Sequence, residues 1–313
     1  FWEVIAQHDV DVLFTAPTAI RAIKREDPHG ALLKDHDLSK FRALFLAGER
    51  CDPDTLKWAE THLSVPVLDH WWQTETGWAI AGNPLGLGLL EVRPGSAGMA
   101  MPGWAVAVLD RNGDEVPARE SGSIVCKLPL PPGSFSGLWN APEKFVETYF
   151  AAYEGYYLTG DAGYRDDDGY IFVMTREDDI INVAGHRLST GAIEEVLASH
   201  DDVAECAVAG IHDDLKGQVP MGFACLKAGA DRDHETINQE LVALVREKIG
   251  PVAAFKRVLI VPRLPKTRSG KILRRSLSRL ANGEHVEAPA TIDDPAILDE
   301  VKSLLATAVG KSV

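Results

Sequence analysis

The stretch RALFLAGERCDPDTLKWAETHL, residues 42–63, decides the fold class. Its first part, RALFLAGE, is a short apolar run typical of a buried strand, and the apolar residues of the second part recur at helical spacing. Asp52 stands where a helix N-cap is expected, and Pro53 stands at the first helical position. The stretch therefore predicts one strand–helix step of a parallel sheet.

The segments on either side predict further steps of the same sheet. Upstream, the pattern predicts a helix over FWEVIAQHD, a strand over DVLFTA and a helix over PTAIRAIKRE, in which Pro17 takes the first helical position. Downstream, VPVLDHW reads as a third short strand. Two consecutive βα steps followed by a strand are typical of the α/β class.

From about residue 95 the pattern changes to antiparallel strands and turns. GWAVAVLD and SGSIVCKLP alternate apolar and polar residues and are separated by the turn-forming RNGDE. YYLTGDAGYRDDDGYIFVMT predicts a hairpin, with Asp168-Gly169 at its turn. A β-rich subdomain is expected to follow the parallel sheet.

The last third of the chain predicts a separate α+β unit of about 100 residues. Strands and helices alternate from INVAGHRLS to a basic helix that is expected to start at Gly270, and a polar connector then leads to a last amphipathic helix, DPAILDEVKSLLATAV. We therefore predict three parts: residues 1–177, residues 178–283 and a tail over residues 284–313.

Composition excludes several classes of protein. The chain has 313 residues, 45% hydrophobic and 25% charged, which excludes a disordered, collagen-like or coiled-coil protein. No apolar run approaches the roughly 20 residues that cross a bilayer. The four cysteines form no C-x-x-C pair, so reduced thiols are expected. We expect a cytoplasmic protein that does not bind membranes. An organellar matrix stays open, because the chain starts at Phe1 and reads as a fragment.

Charge is distributed unevenly along the chain. The net charge is -14, yet residues 243–280 carry eleven Lys or Arg and a single acid, Glu247. One concentrated basic segment in an acidic protein favours a small polyanionic ligand. Nucleic acid is not expected as a partner, because Phe255 is the only aromatic residue of this segment that could stack on a base.

Four motifs follow one another in the chain: AGER at 47–50, WWQTETG at 71–77, YLTGDAGYRDDDGY at 157–170 and PKTRSGK at 265–271. Together they resemble the adenylate-forming superfamily, and WWQTE with INVAGHR and PKTRSGK resembles its short-chain branch of acetyl- and propionyl-CoA synthetases. The resemblance covers the C-terminal half of that family, since no Ser/Thr/Gly-rich phosphate loop occurs here. It implies the end of a large AMP-binding domain followed by a small mobile domain.

The resemblance also implies an activity. A short-chain carboxylate and Mg·ATP would give an acyl-adenylate and pyrophosphate, and CoA would then give acyl-CoA and AMP. Propionate is the first expectation and acetate the second, because Ala47 stands where acetate-preferring members have Val. Two alternatives stay open: a synthetase for slightly longer acids, and a truncated, non-catalytic nucleotide-binding fragment.

Candidate nucleotide-binding residues come from both the residue types and the resemblance. A carboxylate such as Asp161 can accept two hydrogen bonds from a vicinal diol. The guanidinium groups of Arg176 and Arg187 suit ribose and phosphate oxygens. For either arginine taken alone, a solvated surface side chain paired with Glu177 or Asp179 is the alternative. The resemblance assigns these three residues to the ribose and α-phosphate, and adds Gly48, Glu49, Arg50, Asp69, His70, Trp71, Trp72, Gln73 and Thr74 as ATP-binding positions.

The WWQTETG motif carries two further assignments. Glu75 offers a hard carboxylate suited to Mg²⁺ held jointly with triphosphate oxygens. The resemblance makes Trp72 the wall of the acyl pocket, with Ala47 as its neighbour, so that only two- or three-carbon acids fit. A Trp pair of this kind is otherwise more often part of a core.

Lys271 is the expected catalytic residue. When a carboxylate attacks a phosphate, two anions meet, and a positioned ammonium stabilises the charge that develops between them. A solvated basic surface is the alternative for a Lys among Arg neighbours. We also expect that acylation of Lys271 by modifying enzymes would remove its charge and stop adenylation.

The remaining assignments are implied by the resemblance alone. Asp178 stands at the family's hinge between two domain orientations, and Ala184, Gly185 and Arg246 stand at CoA-binding positions. Backbone carbonyls of Ala198, His200 and Val203 stand where members bind a cation.

Overall fold

The predicted βα steps form a parallel sheet in the computed structural model, which describes residues 1–268 and 270–309. Its elements are α1 (Trp2–Gln7), β1 (Val12–Thr15), α2 (Pro17–Glu26), β2 (Ala43–Leu46), α3 (Pro53–Leu63) and β3 (Val67–Asp69). β2 lies between β1 and β3. The Asp52 carboxylate caps α3 by accepting from the Thr55 amide at 2.8 Å. Because the three strands run parallel, the loops after β2 and β3 leave the same edge of the sheet.

A four-stranded antiparallel sheet follows, in the order β6-β7-β8-β9. The elements of this region are β4 (Ala81–Gly82), β5 (Met99–Ala100), β6 (Val106–Leu109), β7 (Gly122–Lys127), α4 (Pro142–Tyr149), β8 (Tyr156–Arg165) and β9 (Ile171–Arg176). One face of the sheet packs into a core that contains Ile124, Tyr157 and Ile171. The hairpin of β8 and β9 turns at Gly169, as predicted, where φ is 92°.

The last third folds into a mixed sheet covered by helices. Its elements are β10 (Ile181–Val183), β11 (His186–Leu188), α5 (Thr190–Ala198), β12 (Val203–Asp213), β13 (Gly217–Leu226), α6 (His234–Lys248), β14 (Val258–Ile260), α7 (Arg274–Ala281) and α8 (Ala296–Val309). β12 and β13 form a long antiparallel hairpin, and β10 and β14 pair with opposite ends of β13. The predicted fold class is confirmed: α/β, with a β-rich part and an α+β part.

The chain divides into two compact units. The first contains Phe1–Ile20 and His29–Asp178, and the second contains Arg21–Pro28 and the chain from Asp179 onward. α8 belongs to the second unit, where Val301 and Leu305 pack in one core with Leu277. The domain limits 1–177, 178–283 and 284–313, and the mobility of the middle part, stay predictions. No described helix is both long and apolar enough to span a membrane.

The predicted start of the basic helix at Gly270 is wrong. α7 begins at Arg274, because the residues before it form a tight loop in which Lys266 pairs with Ile272. The connector after residue 283 also differs from the expectation of a purely polar link, since Ile292 is buried and pairs with Thr267. Ser269 of the PKTRSGK motif and residues 310–313 of the predicted tail lie outside the described residues.

Candidate functional site

Asp161 lies on β8, opposite Arg176 of β9, and the residue is buried at 6% exposure. The glycine before it, Gly160, has a φ of 68°, and a Cβ there would stand 2.8 Å from a guanidinium nitrogen of Arg176. The TGD motif therefore needs glycine both for its backbone conformation and for the close approach of Arg176.

The two oxygens of Asp161 have different surroundings. Oδ2 accepts from Trp71 Nε1 at 3.0 Å and from Gln73 Nε2 at 2.6 Å. Oδ1 has a longer contact of 3.4 Å with Arg176 Nη1, which also donates to the Thr159 carbonyl at 3.1 Å. Burial raises the pKa of Asp161, against the opposing effect of Arg176, Trp71 and Gln73. Among the described residues, Oδ2 thus has two short hydrogen bonds from the protein, whereas Oδ1 has one longer hydrogen bond from Arg176.

Two tyrosines donate hydrogen bonds to side chains of the WWQTETG motif. Tyr157 OH donates to Gln73 Oε1 at 2.6 Å, and Tyr149 OH donates to Glu75 Oε1 at 3.0 Å. The two rings stack, with centroids 5.8 Å apart and planes inclined by 19°. Burial raises the pKa of both hydroxyls, so both remain protonated donors. We call Trp71, Gln73, Tyr157, Thr159, Asp161 and Arg176 the Asp161 cluster.

The loop after β2 contains the predicted positions 48–50. Gly48 has a φ of 99°, with open space where a side chain would project. The Glu49 carboxylate accepts from the Thr18 hydroxyl. The next amide, that of Cys51, donates to Asp69 Oδ2 at 3.2 Å, so the end of β3 holds the end of this loop.

Asp69 is a second buried carboxylate, but it has fewer donors than Asp161. Within residues 1–268 and 270–309, Asp69 Oδ1 has no hydrogen-bond partner. Burial raises the pKa of Asp69 from 3.8 to about 7, while the Cys51 amide and Arg50 oppose that shift. Burial likewise lowers the pKa of the neighbouring His70.

Trp72 stands in a group of aromatic rings at the edge of the parallel sheet. Its ring is 6.5 Å from that of Phe14, edge to face, and His70 packs edge-on against Phe14 at 5.1 Å. Trp72 is 37% exposed, and Ala47, the other predicted acyl-pocket residue, is buried at the end of β2. A partly exposed flat ring of this kind is suited to forming one wall of an apolar pocket. Thr74, the last predicted ATP-binding position of the motif, is exposed.

The hinge candidate Asp178 follows β9 in a short 3₁₀ turn, Glu177–Asp179. Its side chain is exposed, with Oδ1 3.7 Å from Arg176 Nε. Glu177 instead accepts from the Ser123 hydroxyl. Arg176 therefore contacts Asp161 and Asp178 rather than acting only as a solvated surface charge.

In the second unit, the predicted CoA-contacting residues lie in the tight turn between β10 and β11. Ala184 and Gly185 both have positive φ, 48° and 89°. The Ala184 amide donates to the Lys216 carbonyl at 2.9 Å, and the Asn182 amide donates to Gln218 Oε1 at 3.0 Å. The tip of the β12–β13 hairpin thus holds the turn. Arg187, on β11, is exposed.

Lys271 lies in a loop that we call the Lys271 loop, residues 265–268 and 270–273 of the described chain. The Thr267 amide donates to the Lys271 carbonyl at 2.8 Å, and the Lys271 amide donates to Thr267 Oγ1 at 3.1 Å. The amides of Arg268 and Asp293 donate to the carbonyls of Thr291 and Lys266 at 3.0 and 2.9 Å. The Lys271 side chain itself is exposed.

Two ion pairs anchor the ends of this loop. Lys266 Nζ lies 2.6 Å from Glu205 Oε1, and Glu205 is buried. Arg274 donates through Nε and Nη2 to the two oxygens of Glu194, both at 2.8 Å, and Glu194 Oε1 also accepts from the Val208 amide at 2.8 Å. The loop is therefore fixed at both ends by charge pairs and between them by backbone hydrogen bonds.

The remaining predicted residues of the second unit are partly explained by local contacts. Arg246 lies exposed in the last turn of α6. The His200 carbonyl accepts from the Val203 amide at 3.0 Å, and side-chain ligand atoms of His200, Asp202 and Glu240 lie within 4.8 Å of one another. The Arg232 guanidinium pairs with the carboxylates of Asp202 and Glu240, at 2.7 and 2.6 Å, and so supplies positive charge beside these two side chains. The cation site over Ala198, His200 and Val203 stays a prediction.

Sequence reasoning missed the tyrosines behind the site. Tyr149 and Tyr157 lie 74 and 84 positions from the residues that they hold, Glu75 and Gln73. The only signal in the sequence was the concentration of aromatic residues in FVETYFAAYEGYYLTGD, directly before Asp161. The structure brings the predicted residues Trp71, Gln73, Asp161 and Arg176 into direct hydrogen-bond contact.

Two protein-family models match the chain. The model described as AMP-binding enzyme matches residues 1–139, and the model described as AMP-binding enzyme C-terminal domain matches residues 192–271. The chain belongs to the family of AMP-binding, adenylate-forming enzymes. The resemblance that the four motifs indicated is confirmed.

The curated relatives include proteins named as short-chain acyl-CoA synthetases and as a propionate–CoA ligase. Acyl-CoA synthetase short-chain family member 3, mitochondrial, of Mus musculus is 52% identical over 310 residues, which is 99% of this chain and 46% of the relative. The propionate–CoA ligase of Escherichia coli (strain K12) is 42% identical over 311 residues, 97% of this chain and 49% of the relative. The chain spans about half the length of these curated relatives.

A solved structure supports the fold. The crystal structure of the anthranilate CoA ligase AuaEII in complex with anthranoyl-AMP superposes with a TM-score of 0.78 at 28% identity. The match covers 90% of this chain and 52% of that one. The adenylate-forming fold predicted from the motifs is thereby confirmed for this part of the family.

Proposed function

We propose that the protein containing this chain is an ATP-dependent ligase that joins a short-chain carboxylate, propionate first and acetate second, to CoA. One observation carries the proposal: Asp161 is buried, its Oδ2 is held by two protein donors, and its Oδ1 is left for a ribose hydroxyl. The names of the relatives, short-chain acyl-CoA synthetase and propionate–CoA ligase, support the substrate class.

In the first half-reaction, a carboxylate oxygen of the acid attacks the α-phosphorus of ATP, pyrophosphate leaves and an acyl-adenylate forms. The acid is its own nucleophile, so the protein mainly has to position the reactants and stabilise charge. Asp161 and Arg176 would hold the ribose, Arg187 would bind the α-phosphate and Lys271 would stabilise the charge that develops between the two anions. Gly48, Glu49, Arg50 and the segment Asp69–Thr74 would line the nucleotide.

Magnesium would bind at Glu75. Glu75 is half-buried, and its Oε1 accepts a hydrogen bond from the Tyr149 hydroxyl, which fixes the carboxylate. The second oxygen, Oε2, would then be the ligand for Mg²⁺, which prefers oxygen ligands. The ion would neutralise triphosphate oxygens while the residues of this chain orient the nucleotide.

Trp72 would limit the length of the acid. Its ring is fixed edge-on to Phe14, and Ala47 supplies the small neighbouring side chain. One methylene in an apolar pocket is worth about 1–3 kcal/mol, which is enough to reject longer chains but gives a modest preference between acetate and propionate. The alternative, a synthetase for slightly longer acids, is tested by the same residue. If the proposal is right, acids longer than three carbons should be used only by Trp72→Gly; if the alternative is right, the unchanged enzyme should already use them.

In the second half-reaction, the CoA thiol attacks the acyl carbonyl and AMP leaves. We propose that Asp178 is the hinge that exchanges the Lys271 loop for the turn of Ala184 and Gly185, with Arg246 binding a CoA phosphate. Proline fixes φ near -65°. In a full-length enzyme, Asp178→Pro should therefore spare one half-reaction, whereas equal loss of both would count against the hinge.

The first test is calorimetric binding of the propyl ester of AMP, a stable mimic of propionyl-adenylate. We expect it to bind more tightly than the hexyl ester, and we expect Asp161→Ala to abolish binding. A comparison with the ethyl ester separates propionate from acetate preference. A folded chain that binds none of the esters would contradict the proposed site in this chain.

A second candidate is nucleotide binding without turnover by this chain alone. Every residue of the Asp161 cluster lies within residues 71–176, so the cluster forms from one part of the chain. Binding of the propyl ester with no acyl-CoA formed would favour this candidate for the chain as given.

Small molecules are the proposed partners: a short-chain carboxylate, ATP and CoA. The exposure of Lys271 supports a further proposal that lysine-acylating and deacylating enzymes act on it. The cytoplasm or an organellar matrix, where ATP and CoA occur together, is the proposed location. The mouse relative is named as mitochondrial.

A further inference from the structure

Tyr157 is a fully buried tyrosine whose hydroxyl reaches a single side chain of the proposed nucleotide site. Its ring packs in the core with Ile124 and Ile171, and its hydroxyl donates to Gln73 Oε1 at 2.6 Å. Phenylalanine would fill the same core position, so packing alone does not explain the hydroxyl.

The hydrogen bonds of Gln73 determine which way its amide points. Gln73 Nε2 lies 2.6 Å from Asp161 Oδ2 and 2.7 Å from the Thr159 carbonyl, both of which are acceptors. The amino group must therefore face them, and the amide oxygen faces inward, where it needs a donor. Tyr157 supplies that donor.

The amide in turn orients Asp161. Gln73 and Trp71 both donate to Oδ2, which directs Oδ1 to the side where a ligand hydroxyl can bind. If Tyr157 lacked its hydroxyl, Gln73 Oε1 would be a buried acceptor without a donor. The amide would then turn or admit water, and its bond to Asp161 would weaken.

We propose that Tyr157 is a positioning residue for ribose recognition, which acts through the amide of Gln73 on Asp161. The inference rests on the proposed function, because that function assigns Asp161 to the ribose. It adds a buried residue that determines how Asp161 presents Oδ1 to a ribose hydroxyl.

The neighbouring tyrosines provide matched controls. Tyr149 stacks on Tyr157 but donates to Glu75, so its hydroxyl belongs to a different carboxylate. Tyr156, the preceding residue on β8, packs on the other side of the sheet against the cluster of Ala107, Leu109 and Val125. Removal of either hydroxyl should leave the orientation of Gln73 intact.

The test measures the affinity of the chain for AMP and for 2′,3′-dideoxy-AMP by calorimetry. In the unchanged chain, we expect AMP to bind about tenfold more tightly, because hydrogen bonds to a carboxylate are among the stronger ones. In Tyr157→Phe, this ratio should fall at least about threefold while affinity for the dideoxy compound stays the same. Tyr149→Phe and Tyr156→Phe should keep the ratio.

A purely structural role for Tyr157 would weaken both ligands together and leave the ratio unchanged, which would overturn the inference. Gln73→Met breaks the same link at a half-buried position and should lower the ratio as Tyr157→Phe does, even if the latter folds poorly. The double variant should add no further loss.

If the unchanged chain binds both nucleotides equally, the assignment of Asp161 to the ribose fails, and this inference fails with it. If that ratio is normal and Tyr157→Phe and Gln73→Met keep it, the inference alone fails.

Discussion

The Asp161 cluster and the Lys271 loop hold their proposed functional groups in opposite ways. Asp161 is buried, and side chains hold its carboxylate directly. Lys271 is exposed, and the contacts found within residues 1–268 and 270–309 hold the backbone of its loop, through Thr267 and two anchoring ion pairs. One site fixes the functional atoms, and the other fixes the path of the chain and leaves the functional atoms in water.

The physical chemistry of the two groups explains this difference. A carboxylate can be buried where N–H donors solvate it, and a sheet with a Trp and a Gln beside it supplies them. A buried lysine ammonium would need carboxylates or carbonyls around it, and these would compete with an anionic substrate. A group that binds the ligand can therefore be assembled in advance, whereas a cation that acts on developing charge is better kept unpaired.

The largest effect is expected from breaking the anchor of the Lys271 loop. Glu194→Ala leaves Arg274 without its bidentate partner and the Val208 amide without its side-chain acceptor, so we expect a loss of about 3 kcal/mol in the free energy of unfolding. Urea unfolding measures it. Glu284→Ala, which breaks the exposed pair with Arg279, is the control and should cost less than about 1 kcal/mol. Equal losses in both variants would show that the anchor is no stronger than a surface pair.

The next effect is expected at Asp161. In Asp161→Asn, the amide oxygen must face Trp71 and Gln73, so the amino group takes the Oδ1 position and cannot accept a ribose hydroxyl. AMP affinity should fall about tenfold, or about 1.4 kcal/mol, by calorimetry.

The free energy of unfolding should not fall in the Asp161→Asn variant, because the substitution removes a buried charge. Asp167→Asn, at an exposed position in the same hairpin, should leave binding unchanged. Normal AMP affinity in Asp161→Asn would contradict the proposed ribose site.

Asp69 tests what happens to a buried carboxylate that has few donors. Its pKa is raised from 3.8 to about 7, so between these values the folded chain keeps a proton that the unfolded chain releases. The free energy of unfolding should therefore fall as pH rises from about 4 to about 7. Unfolding at pH 5 and pH 8 should show a smaller fall in Asp69→Asn than in the unchanged chain.

Burial also lowers the pKa of His70, which therefore contributes to the pH dependence of the free energy of unfolding in both chains. The comparison of Asp69→Asn with the unchanged chain removes that shared contribution when His70 titrates alike in both. Glu49, Arg50 and the Cys51 amide also act on Asp69 and stay in place. Equal slopes would mean that Asp69 titrates in its ordinary range.

The smallest effect on stability is expected from Lys271→Gln. The side chain is exposed, so the free energy of unfolding should change by less than about 0.5 kcal/mol. In a full-length enzyme, the same variant should lose acyl-adenylate formation yet still convert supplied acyl-adenylate to acyl-CoA. Adenylation at the normal rate would refute both the catalytic role and the proposed regulation by acylation.

Local sequence patterns predicted the elements of this fold well. Asp52 and Pro53 marked the start of α3, and the Asp168-Gly169 turn joined β8 to β9, because capping and turn conformations depend on a few adjacent residues. The motifs also identified Asp161, Arg176 and Gln73, which the structure brings together.

What the sequence did not reveal depends on distant partners. The bond from Tyr157 to Gln73 joins residues 84 positions apart, and no local pattern encodes such a contact. α7 starts later than predicted because Thr267 pairs with Ile292 across 25 positions and holds the preceding residues in a loop. Helical propensity from Gly270 onward was outweighed by this tertiary pairing.

The pairing of the Lys271 loop with residues 291–293 also sets an order of events during synthesis. A chain leaves the ribosome from its N-terminus, so Lys271 emerges before Thr291, Ile292 and Asp293 have been released. The nascent protein can build the Asp161 cluster from residues 71–176 while its lysine loop still lacks its pairing partner. The proposed ribose site would therefore be complete earlier on the ribosome than the loop that holds the proposed catalytic lysine.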